Sequence, residues 1–214
     1  MPDLTVIDPD TFALFFAASV ALGLAPGPDN VFVLTQAALH GPRAGLLVTL
    51  GLCTGLFVHT ALVAVGVAAV LRASAIAFTA LKLVGAAYLL WLAWQALRAA
   101  GGALPEAGVG PGDGFRLYLR GVVMNVTNPK VAIFFLAFLP QFVDTGRGEV
   151  AWQIVQLGVV FQLATLLVFG GVALGAGALG DRLRRSARLR AAIDRLAAAV
   201  FVALAIRLVL TERV

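Results

Sequence analysis

Six long apolar runs, at 11–38, 43–71, 75–98, 116–143, 150–178 and 191–210, follow one another with only short connections between them. Each is long enough to cross a bilayer as a helix, which takes about 20 mostly apolar residues. Lipid offers the backbone no hydrogen-bond partner. Long runs of Ala, Leu, Val and Gly therefore close their own bonds as helices, whereas a barrel would need short alternating strands. The expectation is an all-α polytopic membrane protein, one membrane domain over 1–214, with six transmembrane helices.

Composition agrees: 61% of residues are hydrophobic and 13% charged, against about 45–50% and about 25% in soluble domains. No length remains for an aqueous catalytic domain, so an enzyme is not expected. The net charge of +5 sits in the connections, where it reads as a topology signal and not as a nucleic-acid surface. Cys53 is the single cysteine and His40 and His59 the two histidines, so neither a thiol pair nor a closed metal site is expected, and no cofactor is implied. The first ten residues lack a basic stretch, so the first apolar run is expected to be kept as a membrane helix.

The Gly- and Pro-rich stretch Gly101–Gly114 divides the chain into a first half at 1–100, a linker at 101–115 and a second half at 116–214. Each half carries three runs, an odd number, so related halves would lie inverted in the membrane. With the N-terminus outside, Arg43, Arg98, Arg116, Arg120, Arg182, Arg184, Arg185, Arg188, Arg190 and Arg195 lie inside, and Arg72, Arg147, Arg207 and Arg213 outside. Ten against four favours both termini outside. The 182–195 cluster is either an ordinary inside loop or a contact to anionic lipid. Glycines four apart, Gly23 and Gly27, Gly41 and Gly45, Gly51 and Gly55, Gly171 and Gly175, suit close helix packing.

Two interruptions carry the chemistry. Ala25-Pro26-Gly27-Pro28-Asp29-Asn30 falls near the middle of the first run, and Asn125-Val126-Thr127-Asn128-Pro129-Lys130 near the middle of the fourth. Pro26, Gly27 and Pro28 break one helix and Pro129 the other, because proline lacks the N–H the ladder needs. A charge follows each break, Asp29 after Pro28 and Lys130 after Pro129. A charge at bilayer depth costs about 2.5–3.5 kcal/mol on insertion scales, so these face protein or water. Their opposite signs at matched depth suggest proximity. Asp29 is otherwise a candidate N-cap and Lys130 a candidate fixed counter-ion. Asn30, Asn125 and Asn128 either satisfy broken backbone or line a site.

An acid, a base, amides and half-helix ends at the midplane suit a zwitterion: Lys130 and N–H groups for a carboxylate, Asp29 and carbonyls for an ammonium. His59 is a candidate proton relay or a donor to a neighbouring group. Lys82 is expected to reach the interface along its stem. Gln36, Gln156 and Gln162 are candidate interhelical hydrogen bonds, and Tyr88, Trp91 and Trp94 an interfacial belt. Ser19 and Ser74 sit in no nucleophile motif.

At Pro26-Gly27-Pro28 with Asp29 and Asn30, at Gly41, Gly45, Gly51 and Gly55, at Lys82 through Tyr88, and at Asn128-Pro129-Lys130 through Phe142, the chain resembles the LysE/RhtB family of bacterial amino-acid exporters. The resemblance implies a multi-pass protein of the bacterial inner membrane. It also implies a secondary transporter that exports homoserine, threonine, lysine or other small amino acids from the cytoplasm by proton antiport. Amino acid, protons and lipid are the implied partners, and a homodimer is a further expectation. Related six-helix folds pass electrons between thiols, but that work needs two cysteines; a channel or scaffold subunit is the remaining alternative.

Overall fold

The computed structural model describes residues 7–25, 27–73, 75–100, 113–144, 146 and 148–210. The side chains of 67–73, 75–78, 81, 177–184, 207 and 208 lie outside that description. Outside it too fall the Pro26 break, most of the 101–115 linker, Ser74, and the side chains of Arg72, Arg147, Arg182, Arg184, Arg207 and Arg213.

Among the described residues the chain is all helix and has no strand. The first run forms α1 (Pro9–Leu24) and α2 (Pro28–His40). α1 opens on Asp8, whose carboxylate accepts from Thr11 N at 2.9 Å, with Pro9 in the first turn, where its missing N–H costs nothing. α2 ends at Gly41, whose φ of 85° is a conformation glycine adopts without strain. α3 (Pro42–Ala73) and α4 (Ala75–Ala99) complete the first half. The fourth run forms α5 (Gly114–Val126) and the short α6 (Pro129–Ile133), followed by a π-helical turn at Phe134–Phe138 and a 3-10 turn at Leu139–Phe142. Pro140 has no N–H for the carbonyl four residues back, and the ladder loosens there: Leu139 N reaches Phe134 O. α7 (Val150–Arg185) and α8 (Ala187–Leu210) close the chain.

Helices therefore stand at all six expected positions. Among the described residues two segments qualify alone as membrane spans by length and apolarity, Pro42–Gly66 of α3 and Val150–Ala176 of α7. Counting each bent pair as one span gives up to four: α1 with α2, bent by 66°, and Gly114–Val126 with Pro129–Phe142, bent by 47°.

α3 and α7 form the centre: α3 packs on α5, α7 and α2, and α7 also on α1 and α2, while α4 lies against α8. The α3–α5 crossing brings backbones into contact. A Cβ on Gly51 would fall 2.1 Å from the Tyr118 carbonyl oxygen, and one on Gly121 2.4 Å from that of Val48. Tyr118 adds a hydrogen bond from its hydroxyl to Thr54 Oγ1 at 3.0 Å. Gly55 faces Asn125, and Gly45 faces Ala37 and Ala173. Not every small pair packs in this way. Gly41 shapes a turn, and a Cβ on Gly171 would meet nothing within 4 Å. Spacing alone does not say which face a neighbour occupies.

An aromatic cluster anchors the segment that follows the second break. Phe135 meets Phe161 edge-on at 5.0 Å, and Phe142 meets Phe15 at 5.1 Å and Phe138 at 4.9 Å. These rings tie the irregular turns after α6 to α1 and α7. A Gln153 clamp holds the loop that follows: its Oε1 accepts from Asp144 N at 2.9 Å and its Nε2 donates to Asp144 O at 2.8 Å.

Candidate functional site

Each proline at a break removes one donor, and the orphaned carbonyl can be named. In a continuous helix Leu22 O would accept from residue 26 and Asn125 O from residue 129; both are prolines. Each carbonyl meets a side chain from the opposite half, and Asn125 O also accepts from the backbone N of Asn128 at 3.0 Å. Lys130 Nζ donates to Leu22 O at 3.1 Å and to Ala25 O at 3.1 Å. His59 Nε2 lies 3.1 Å from Asn125 O and meets it as a donor, since a carbonyl only accepts. Asn30 serves the same end locally, its Nδ2 donating to Gly23 O at 2.6 Å. A positive group at the carbonyl end of α1 is also favoured by the helix dipole.

Asp29 and Lys130 belong to one buried cluster but form no direct ion pair among the described residues. Asn128 stands between them. Its Nδ2 donates to Asp29 Oδ2 at 2.6 Å, and its Oδ1 accepts from the backbone N of Lys130 at 2.9 Å. The two charges stand in one cluster, but the lysine head is committed to the carbonyls at the end of α1.

The N-cap expectation for Asp29 is also corrected. Gly27 is the N-cap of α2 and Asp29 lies inside its first turn, whereas Asn128 caps α6 through its side chain. Gly27 makes room for the lysine: a Cβ there would lie 3.1 Å from Lys130 Nζ and 3.7 Å from Asn30 Oδ1.

Some bonding capacity is left over. Asp29 and Lys130 are 3% and 8% exposed, so bulk water does not serve them. Asp29 Oδ1, Asn30 Oδ1 and Asn125 Oδ1 have no partner among the described residues. An ammonium has three donors, and carbonyls occupy two of those on Lys130. The breaks therefore leave Asp29 Oδ1 and Asn30 Oδ1 free near a cation with one direction to spare, while Asn125 Oδ1 faces Gly55.

The other expected polar groups separate. His59 is buried beside the Phe135 ring at 5.7 Å. Gln156 accepts from Ile7 N at 3.2 Å, but Gln36 makes no hydrogen bond through either amide atom. Lys82 reaches Val209 O at 3.5 Å. Trp91 and Trp94 are exposed, with Tyr88 stacked on Trp91 at 5.2 Å and Arg98 over Trp94 at 4.1 Å. Cys53 is buried and free. The role of the Leu22 and Ala25 carbonyls was missed in the sequence, although counting four residues back from Pro26 would have found the first.

A family model described as LysE type translocator matches residues 20–212. The chain is 37% identical over 166 residues to a homoserine/homoserine lactone efflux protein of Salmonella typhi, covering 76% of this chain and 80% of that one. It is 34% identical over 218 residues to an uncharacterized membrane protein of Pseudomonas aeruginosa, covering 97% of each. It is 27% identical over 206 residues to a leucine efflux protein of an Enterobacter species, covering 92% of this chain and 94% of that one. No solved structure matches.

Proposed function

This chain belongs to the family of LysE type translocators, and on that footing we propose that it exports small amino acids from the cytoplasm across a bacterial inner membrane in exchange for protons. The observation that carries the reading is the uncommitted oxygen of Asp29. Its Oδ2 is held by Asn128 while Oδ1, buried at the break, has no partner. A proton and a substrate ammonium are alternative occupants of that oxygen. Binding one in place of the other is what couples an antiporter.

The spare N–H direction of Lys130 receives the substrate carboxylate, and the acceptor oxygen of Asn30 adds to the ammonium side. Relatives named for efflux of homoserine or its lactone and of leucine support a small amino acid as cargo. His59 holds the second break through Asn125 O; that bond supports a positioning role over a proton relay.

The exchange of side chains between the breaks supports two inverted halves with six crossings, and the arginine count supports both termini outside. Lys130 on Leu22 O and His59 on Asn125 O are the same device with the halves exchanged. The packing of α5 on α3 and of α1 on α7 repeats the pattern. Movement at the two breaks, where helix ends are tied by side chains and not by the ladder, gives the alternating access that transport requires.

The test is amino-acid profiling of cells with and without this protein under amino-acid overload. Lower intracellular and higher extracellular levels of a small amino acid in its presence support export. An unchanged profile across all amino acids contradicts it.

A further inference from the structure

Gln36 is 0% exposed, and neither Oε1 nor Nε2 has a hydrogen-bond partner. Buried amides are nearly always satisfied, and one that is not carries the full desolvation penalty of both its groups. Its neighbours along α2, Phe32, Val33 and Ala37, are buried in an apolar cluster shared with α3 and α7, where Leu or Met would pack at no such cost. The amide therefore has to be explained by something that hydrogen-bonds to it for part of the working cycle.

Its position says what. Gln36 follows Asp29 by seven residues, two turns at about 100° each step, which returns it to within about 20° of the same helix face. Helical side chains lean toward the N-terminus, so the Gln36 amide leans back along that face toward Asp29. Of the three residues of α2 with a free buried acceptor, Asp29, Asn30 and Gln36, the acid and Gln36 share a face by their spacing, and Gln36 alone also has a free donor.

We propose that Gln36 is the subsite for the substrate side chain and selects amino acids carrying a short hydrogen-bonding group, a hydroxyl or a carbonyl-type oxygen, over aliphatic ones. This rests on the exporter reading, with Asp29 holding the ammonium. A hydroxyl both donates and accepts and so satisfies both ends of an amide. An aliphatic side chain covers the amide and returns nothing, the kind of mismatch that gives a polar subsite its discrimination.

The experiment is counterflow in proteoliposomes with homoserine and leucine as paired probes, comparing the native protein with Gln36→Met, which keeps length and apolar bulk but loses both hydrogen-bonding groups. The native protein is expected to favour homoserine by 10-fold or more, an order of magnitude set by one lost hydrogen-bonding partner. In Gln36→Met that ratio is expected to fall to about 1 by loss of homoserine flux, leucine flux being kept. Should the methionine variant fail to fold, Gln36→Leu and the change in melting temperature on adding homoserine to the native protein and to Gln36→Asn supply the same comparison. An unchanged ratio in a folded variant overturns the subsite and leaves the exporter reading standing. Flux of neither probe through the native protein overturns the subsite as stated, and profiling then decides separately whether export of another amino acid survives.

Discussion

Lys130 Nζ lies 3.1 Å from the carbonyl oxygen of Leu22, a group whose helical donor Pro26 removes. One half of the chain thereby finishes the hydrogen bonding that a proline in the other half interrupts. The buried lysine is a structural cap, and the substrate contact proposed for it draws on the same three donors.

Lys130→Ala is expected to lower stability by about 3 kcal/mol, the loss of two charge-assisted bonds to buried carbonyls. Lys130→Arg is not a rescue. The larger fork has to enter a space where even a Cβ on Gly27 would come within 3.1 Å of the ammonium. Melting curves in detergent check both, and a native melting temperature for the alanine variant contradicts the capping role.

Glycines of equal spacing are expected to differ sharply. Gly51→Ala and Gly121→Ala push a methyl into the facing backbone and should each cost about 3 kcal/mol, whereas Gly171→Ala, with nothing within 4 Å, should stay within about 0.5 kcal/mol of the parent. Thermal unfolding of the three variants side by side is the check.

For His59 the bond to Asn125 O makes the amide a fair replacement. His59→Gln is expected to keep more than half of the transport rate and His59→Ala to lose about 10-fold, since the carbonyl is then left with only the backbone donor of Asn128 at 3.0 Å. Equal loss in both variants would point to the titrating ring.

The breaks were legible because proline has no N–H, a covalent fact independent of context. So was the all-helical fold, because lipid admits so few backbone solutions. What fills each gap was not legible. Lys130 is 108 residues from Leu22 in sequence, and only folding shows that α1's end, and not Asp29, takes the ammonium. Asn128 illustrates the same limit, since one amide both caps α6 and holds Asp29. Gln36 read as an interhelical hydrogen bond; its burial without a partner became visible only once the three helices around it were in place.

The proposed coupling rests on Asp29, and its most direct test is pH-gradient-driven amino-acid transport by purified Asp29→Asn in proteoliposomes, beside the native protein. The amide keeps the shape and the bond to Asn128 but holds neither a titrating proton nor a charge for an ammonium. The expected result is loss of gradient-driven accumulation in the variant with the protein still folded in the bilayer; accumulation at the native rate would contradict proton coupling through Asp29.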